Sequence, residues 1–191
     1  IGMGAQSAYN SVDAPLWFFW CIQQYAYINN ARTEVWNLYS KVMKQILDTF
    51  AEGTDNVRMD SNYLLWQSQS GKALTWMDAI VDGVPVTPRN GYAVEINALW
   101  YNAVMFYREL AELACSDGES AKWDEFASVF PSSFKSTFWS KEKGYLADCV
   151  NGAERDFSVR CNMIFAVSMP YTCLSLKIRQ LIVEKVKQEL L

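Results

Sequence analysis

The chain has no histidine in 191 residues. Ser-His-Asp and Cys-His catalysis, histidine general bases and most metal sites are excluded with it. Five cysteines, at 21, 115, 149, 161 and 173, include no C-x-x-C pair, so zinc and dithiol redox sites are not expected. They read as free, mostly buried thiols in a reducing, cytoplasmic compartment. Basic residues are outnumbered: 17 Lys and Arg against 21 Asp and Glu give a net charge of -4. No electrostatic footprint for nucleic acid or an anionic membrane results. No apolar run approaches the length of a membrane span, and no charged-then-apolar signal opens the sequence. No cofactor and no metal are expected.

What is present is a composition of 51% hydrophobic and 15% aromatic residues. That is one globular domain, long enough to bury a core. Without histidine, any chemistry must run on carboxylates, tyrosine, lysine or arginine. The sequence starts at Ile1 in loop-like residues and stops inside the helical LIVEKVKQELL. We therefore expect 1–191 to be a single domain that is a fragment of a longer one.

Periodicity predicts helices. LWFFWCIQQYAYI, within 14–29, is apolar almost all round, with Asp13 as N-cap and Pro15 in the first turn. Residues 33–52 carry a stripe of Val35, Tyr39, Val42, Ile46 and Phe50, with Thr33 to cap and Gly53 to stop. A long helix is expected from Ala93 to Cys115, and another from Glu119 to Phe130. The latter should end at Pro131, with a short turn beyond it. A last helix covers 174–191, with Leu181, Val186 and Leu190 facing the core. Residues 63–66 and 143–150 are candidate extended pieces. About six helices in three pairs result, a mainly α chain with at most a short hairpin. The long connections between them hold aromatics, acids and arginines, and so suit a site on one rim.

Five collinear segments carry a family likeness: YNSVDAPLWFFW (9–20), LTWMDA (74–79), PVTPRNGYAVEINALWYNA (85–103), GYLADCV (144–150) and VRCNMIFAVSMPY (159–171). Together they resemble the amylo-α-1,6-glucosidase domain of the glycogen-debranching family, over almost the whole chain. The resemblance implies part, about half, of an (α/α)6 toroid, a six-hairpin barrel. It implies hydrolysis of α-1,6-linked glucose stubs of glycogen or limit dextrin. It also implies a general-acid role for the TWMD aspartate, Asp78, with the catalytic base supplied from outside the chain and the fragment alone inactive. Half a toroid would expose helix faces and invite self-association. The sequence departs from the family pattern at Met163, where the family reads glutamine, and at Ile80, where it commonly reads lysine.

Glycoside hydrolysis needs a carboxylic acid to protonate the leaving oxygen and a second carboxylate, but no histidine or metal. Aromatic faces grip sugar rings, and polar side chains grip hydroxyls. Asp78 lies between Trp76-Met77 and Ala79-Ile80. Such neighbours would desolvate it and raise its pKa, as a general acid requires; a turn or cap role is the plainer reading. Asp82, before Gly83, reads as a turn former. Arg89 can fork onto sugar hydroxyls or a carboxylate. Glu95, Asn97 and Trp100 share the start of a helix and can contact substrate or cap and pack. Asp13, with Tyr9, Asn10 and Trp17, can form a sugar subsite or simply cap its helix. Trp76, Tyr145, Asp148, Arg160 and Asn162 complete the candidate substrate-binding set. A noncatalytic carbohydrate-binding or helical interaction module is the alternative. A sugar epimerase on an α/α barrel stands third, since such enzymes usually employ histidine.

Overall fold

The structure is a computed structural model describing residues 11–191; Tyr9 and Asn10 lie outside the described residues. Helix α1 spans Ala14–Ile28 and α2 spans Arg32–Glu52. At the head of α1, Ser11 Oγ accepts from the Ala14 N–H at 3.3 Å and donates to Asp13 at 2.6 Å. Asp13 occupies the N-cap position but its own side chain makes no cap bond. Neither does Thr33 cap α2, whose N-cap is Ala31. Gly53 stops α2 with φ +92°, a conformation that glycine adopts without a Cβ penalty. The buried face of α2 is Val35, Met43, Leu47 and Phe50; Val42 faces solvent.

Helix α3, Val94–Leu113, is the centre of the molecule. It packs against α1, α2, α4 (Asp117–Ala121), α5 (Asp124–Phe138) and α6 (Phe165–Ser168). Most of its residues are buried, because neighbours cover it on nearly every side. The buried Gln23 of α1 is satisfied there by Asn102 Nδ2 at 2.9 Å. Pro131 does not end α5, contrary to expectation. Phe126, Phe130, Phe134 and Phe138, four residues apart, form one buried ladder along α5. An interior proline costs about 3 kcal/mol. Burying each phenylalanine returns roughly 1.5–3 kcal/mol, so the ladder outweighs the break. The last helix, α7, is Leu176–Leu190. Its core-facing residues are Ile178, the fully buried Ile182 and Val186; Val186 packs as expected, while Leu181 and Leu190 are exposed.

Among the described residues the strand content exceeds one hairpin, in four small sheets. β1 (Val57–Met59) pairs antiparallel with β2 (Leu65–Gln67), and β3 (Ile80–Val81) with β4 (Val84–Pro85). β5 (Tyr92–Ala93), β8 (Cys149–Asn151) and β9 (Glu154–Asp156) form a three-stranded sheet. β6 (Trp139–Ser140) pairs with β7 (Tyr145–Leu146). The β3–β4 turn, Asp82-Gly83, has positive φ at both residues (+49° and +77°), as a two-residue hairpin turn requires. Asp82 is therefore the turn former its sequence position suggests.

The β5–β8 pairing matters most for the site, because it joins segments about sixty residues apart. Gly91 makes it possible. A Cβ at Gly91 would meet the Val150 carbonyl oxygen at 2.3 Å, and its φ is +111°. Gly91→Ala is expected to cost roughly 2–4 kcal/mol. That corresponds to a Tm lowered by about 5–15 °C in thermal unfolding; an unchanged Tm would contradict the close approach.

Candidate active site

The loop Pro88-Arg89-Asn90-Gly91 is clamped to β2. Gln67 and Gly91 exchange backbone hydrogen bonds at 3.0 and 2.7 Å, and Gln67 Nε2 donates to the Arg89 carbonyl at 3.3 Å. Arg89 itself holds φ +46°, costly for a side-chain-bearing residue. Its guanidinium is buried and spends all five N–H donors. Nη1 and Nη2 fork onto the two oxygens of Glu95, in the first turn of α3. Nε donates to Asp148 Oδ2 at 2.8 Å and Nη2 to the Asp148 carbonyl at 3.1 Å. Nη1 also reaches Thr75 Oγ1 at 3.3 Å.

Burial pushes the Glu95 carboxyl up, and Arg89 opposes it. Both Glu95 oxygens accept from the fork, so the group is a carboxylate. Burial works against the Arg89 charge, but Glu95 and then Asp148 more than reverse this and hold it raised.

Asp148 sits just before β8. Its N–H donates to the Asp156 carbonyl at 2.8 Å, and its carbonyl accepts from the Val94 N–H at 3.0 Å. Besides Arg89, its carboxylate accepts from Arg160 Nη1 at 2.7 Å and from Asn162 Nδ2 at 2.7 Å. Arg160 also donates to Asp156 Oδ2 at 2.6 Å. Burial raises the Asp156 carboxyl, but bonds from Arg160 and Ser158 outweigh it and bring it down to about 2. Asn162 begins the outermost layer: its Oδ1 accepts from Trp76 Nε1 at 2.9 Å, and its Nδ2 also approaches Met77 Sδ at 3.3 Å.

Asp78 follows directly, on the loop entering the β3–β4 hairpin. It is exposed, and its carboxylate makes no hydrogen bond or ion pair with any described residue. Contrary to expectation, among the described residues its sequence neighbours do not cover it. Trp76, Ala79 and Ile80 are themselves exposed. Thr87 Oγ1 donates to the Met77 carbonyl at 3.2 Å, and the Val86 N–H to the Ala79 carbonyl at 2.9 Å. The loop is thus tied down on both sides of a carboxylate that has no partner among the described residues.

Beneath the Pro88–Asn90 loop lies an open cleft of about 380 Å³, bordered by Cys149, Asn151, Glu154, Asp156 and Arg160. Burial pushes the Cys149 thiol up to about 12, against the pull of Arg89. A thiol so protonated at neutral pH is no nucleophile. The five cysteines are free, as expected, but Cys21, Cys115 and Cys161 are exposed rather than buried. Among the described residues no cluster could hold a metal ion, and no helix is long and apolar enough to cross a membrane.

The model of the amylo-alpha-1,6-glucosidase family matches residues 1–191. The chain belongs to the amylo-α-1,6-glucosidase family. No curated protein matches significantly. Among solved structures, the chain is similar to a GH78 family rhamnosidase of Bacillus sp. GL1, with a TM-score of 0.64 and 19% identity. The likeness covers 92% of this chain and 17% of the rhamnosidase, so the chain spans under a fifth of that protein's length. Family and fold together give a mainly α, glycosidase-type domain, part of an α/α toroid.

Within this amylo-α-1,6-glucosidase domain, the other candidate residues divide by accessibility. Asn97 is fully buried. Its Oδ1 accepts from the Leu65 N–H at 2.7 Å, and its Nδ2 donates to the carbonyls of Leu65 and Ala93. Trp100 lies in the core, its indole N–H spent on the Tyr63 carbonyl at 3.2 Å. Glu95 is equally enclosed by Arg89. Direct substrate contact needs an accessible atom, so the structure gives these three residues a scaffolding place instead. Asp13 is buried against Ser11, and Tyr145 donates its hydroxyl to the Phe157 carbonyl at 3.0 Å. Trp17 is half-buried, edge-on to Trp20 and Phe165. Asp148 and Asn162 are buried inside the network, while Arg160 and Trp76 reach solvent, Trp76 at 49% exposure. Met163, at the family's glutamine position, is fully buried and packs into the core. Thr75, Met77, Thr87 and Asp156 join the network although their sequence positions did not single them out. Their only signal was proximity to Asp78, Arg89 and Arg160.

Proposed function

We propose that this chain carries the general-acid side of an α-1,6-glucosidase site, with Asp78 protonating the leaving glycosidic oxygen. The observation behind this reading is an exposed carboxylate, unpaired among the described residues, on a loop tied down on both sides, at the TWMD position of an amylo-α-1,6-glucosidase family chain. Glu95, Asp148 and Asp156 are committed to Arg89 and Arg160; Asp82 and Glu154 are exposed as well, and the TWMD position is what singles out Asp78 among the three. The substrate is the single α-1,6-linked glucose stub of trimmed glycogen, a limit dextrin, and the enzyme works in the cytoplasm. Trp76 offers an aromatic platform and Arg160 a hydroxyl-binding fork at the rim. The base is a second carboxylate outside this chain, about half of the catalytic domain, so the chain alone releases no glucose. Closure of the site around the sugar supplies the desolvation a general acid requires. The exposed Ile80, Val81, Val84 and Val86 of the β3–β4 hairpin, and Leu176 and Val183 of α7, favour self-association where nothing covers them.

The test is the full-length protein on two substrates: a phosphorylase limit dextrin and an α-rhamnoside, the class in the name of the structural neighbour. Free glucose from the dextrin and no hydrolysis of the rhamnoside is the expected result. Glucan binding without glucose release would instead favour a noncatalytic carbohydrate-binding module.

A further inference from the structure

The Asn162 amide has a forced orientation. Trp76 Nε1 can only donate and the Asp148 carboxylate can only accept, so the oxygen must face the indole and the nitrogen the carboxylate. Asp148 is itself immobilised by Arg89, Arg160 and two backbone bonds. Asn162 is fully buried, so it cannot reach a sugar. What it does reach is the Trp76-Met77 pair immediately before Asp78, through Nε1 of one and Sδ of the other.

We propose that Asn162 is a positioning residue: its amide transmits the fixed geometry of the Arg89–Asp148 pair to the Trp76-Met77 segment and so sets where the Asp78 carboxylate stands. This rests on the reading of Asp78 as the proton donor. Asn162 therefore matters for placement of the acid, while sugar affinity comes from other groups. A misplacement on the order of 1 Å can cost about a hundredfold in rate. Loss of one anchor among several is expected to cost less.

Two variants of the full-length protein separate the possibilities. Trp76→Phe keeps an aromatic face at a half-exposed position and removes only the indole donor, so its cost to the fold is limited to one unpaired acceptor, which thermal unfolding checks. Asn162→Ala removes the amide itself. Both are assayed for kcat and KM on limit dextrin, beside Asp78→Asn. We expect kcat to fall by about tenfold or more in Trp76→Phe and further in Asn162→Ala, with KM within about twofold of wild type. Unchanged kcat in Trp76→Phe, with Asp78→Asn inactive, would overturn the positioning role and leave the acid assignment standing. A raised KM with unchanged kcat would also overturn it, since the Trp76 indole N–H would then act on sugar binding and not on placement of the acid. Normal activity in Asp78→Asn would overturn both the acid assignment and this inference.

Discussion

Replacing Arg89 by methionine is expected to cost about 3–5 kcal/mol of folding stability. The cation is buried between two buried carboxylates, Glu95 and Asp148, and every one of its donors is used. Methionine fills similar space but leaves Glu95 as a buried charge without its counter-ion. Asp148 is less exposed to the loss, because Arg160 and Asn162 still hold it. At this chain length the cost corresponds to a Tm about 6–20 °C lower. The cause is the orphaned charge rather than the lost attraction, and a double variant separates the two. Arg89→Met with Glu95→Leu removes both charges and is expected to recover about 2 kcal/mol or more of the loss. A double variant as unstable as the single one would show that the fork itself, not charge balance, holds the loop to α3.

Asp78→Asn is expected to do the reverse: stability barely changes and activity collapses. The side chain is exposed and makes no bond to any described residue, so its removal should fall within about ±0.5 kcal/mol. Asparagine matches the carboxylate in shape but cannot deliver a proton. General-acid catalysis contributes about 10²–10⁴-fold, and that is the expected loss in kcat. If both results hold, the contrast between Arg89 and Asp78 separates scaffold from chemistry within a dozen residues of sequence.

The helices were legible because apolar period and stop signals operate within a few residues, although the caps expected of Asp13 and Thr33 do not form. The apolar segment after Asp13-Ala14-Pro15 and the stop at Gly53 needed nothing distant. Pro131 misled, because local breaking power lost to a buried phenylalanine ladder that only tertiary packing rewards. The faces of α2 and α7 were misjudged where several apolar residues competed, Val42 with Met43 and Leu181 with Ile182. At the site, Arg89, Glu95, Asp148, Arg160 and Asn162 could each be picked out as polar groups at element junctions. That they bind one another could not, because the β5–β8 pairing that assembles them spans some sixty residues and turns on one glycine. Glu95, Asn97 and Trp100 read as rim residues from helix position alone, yet the β1–β2 hairpin and the Arg89 loop cover that end of α3. Asp78 was expected in an apolar setting, but apolar neighbours in sequence bury a group only when they fold over it.

The most direct test of the account is glucose release from a phosphorylase limit dextrin by the full-length protein, wild type against Asp78→Asn, with both confirmed folded by thermal unfolding. The account predicts matched melting curves and a rate at least about a hundredfold lower in the variant. Near-wild-type glucose release from Asp78→Asn would contradict it.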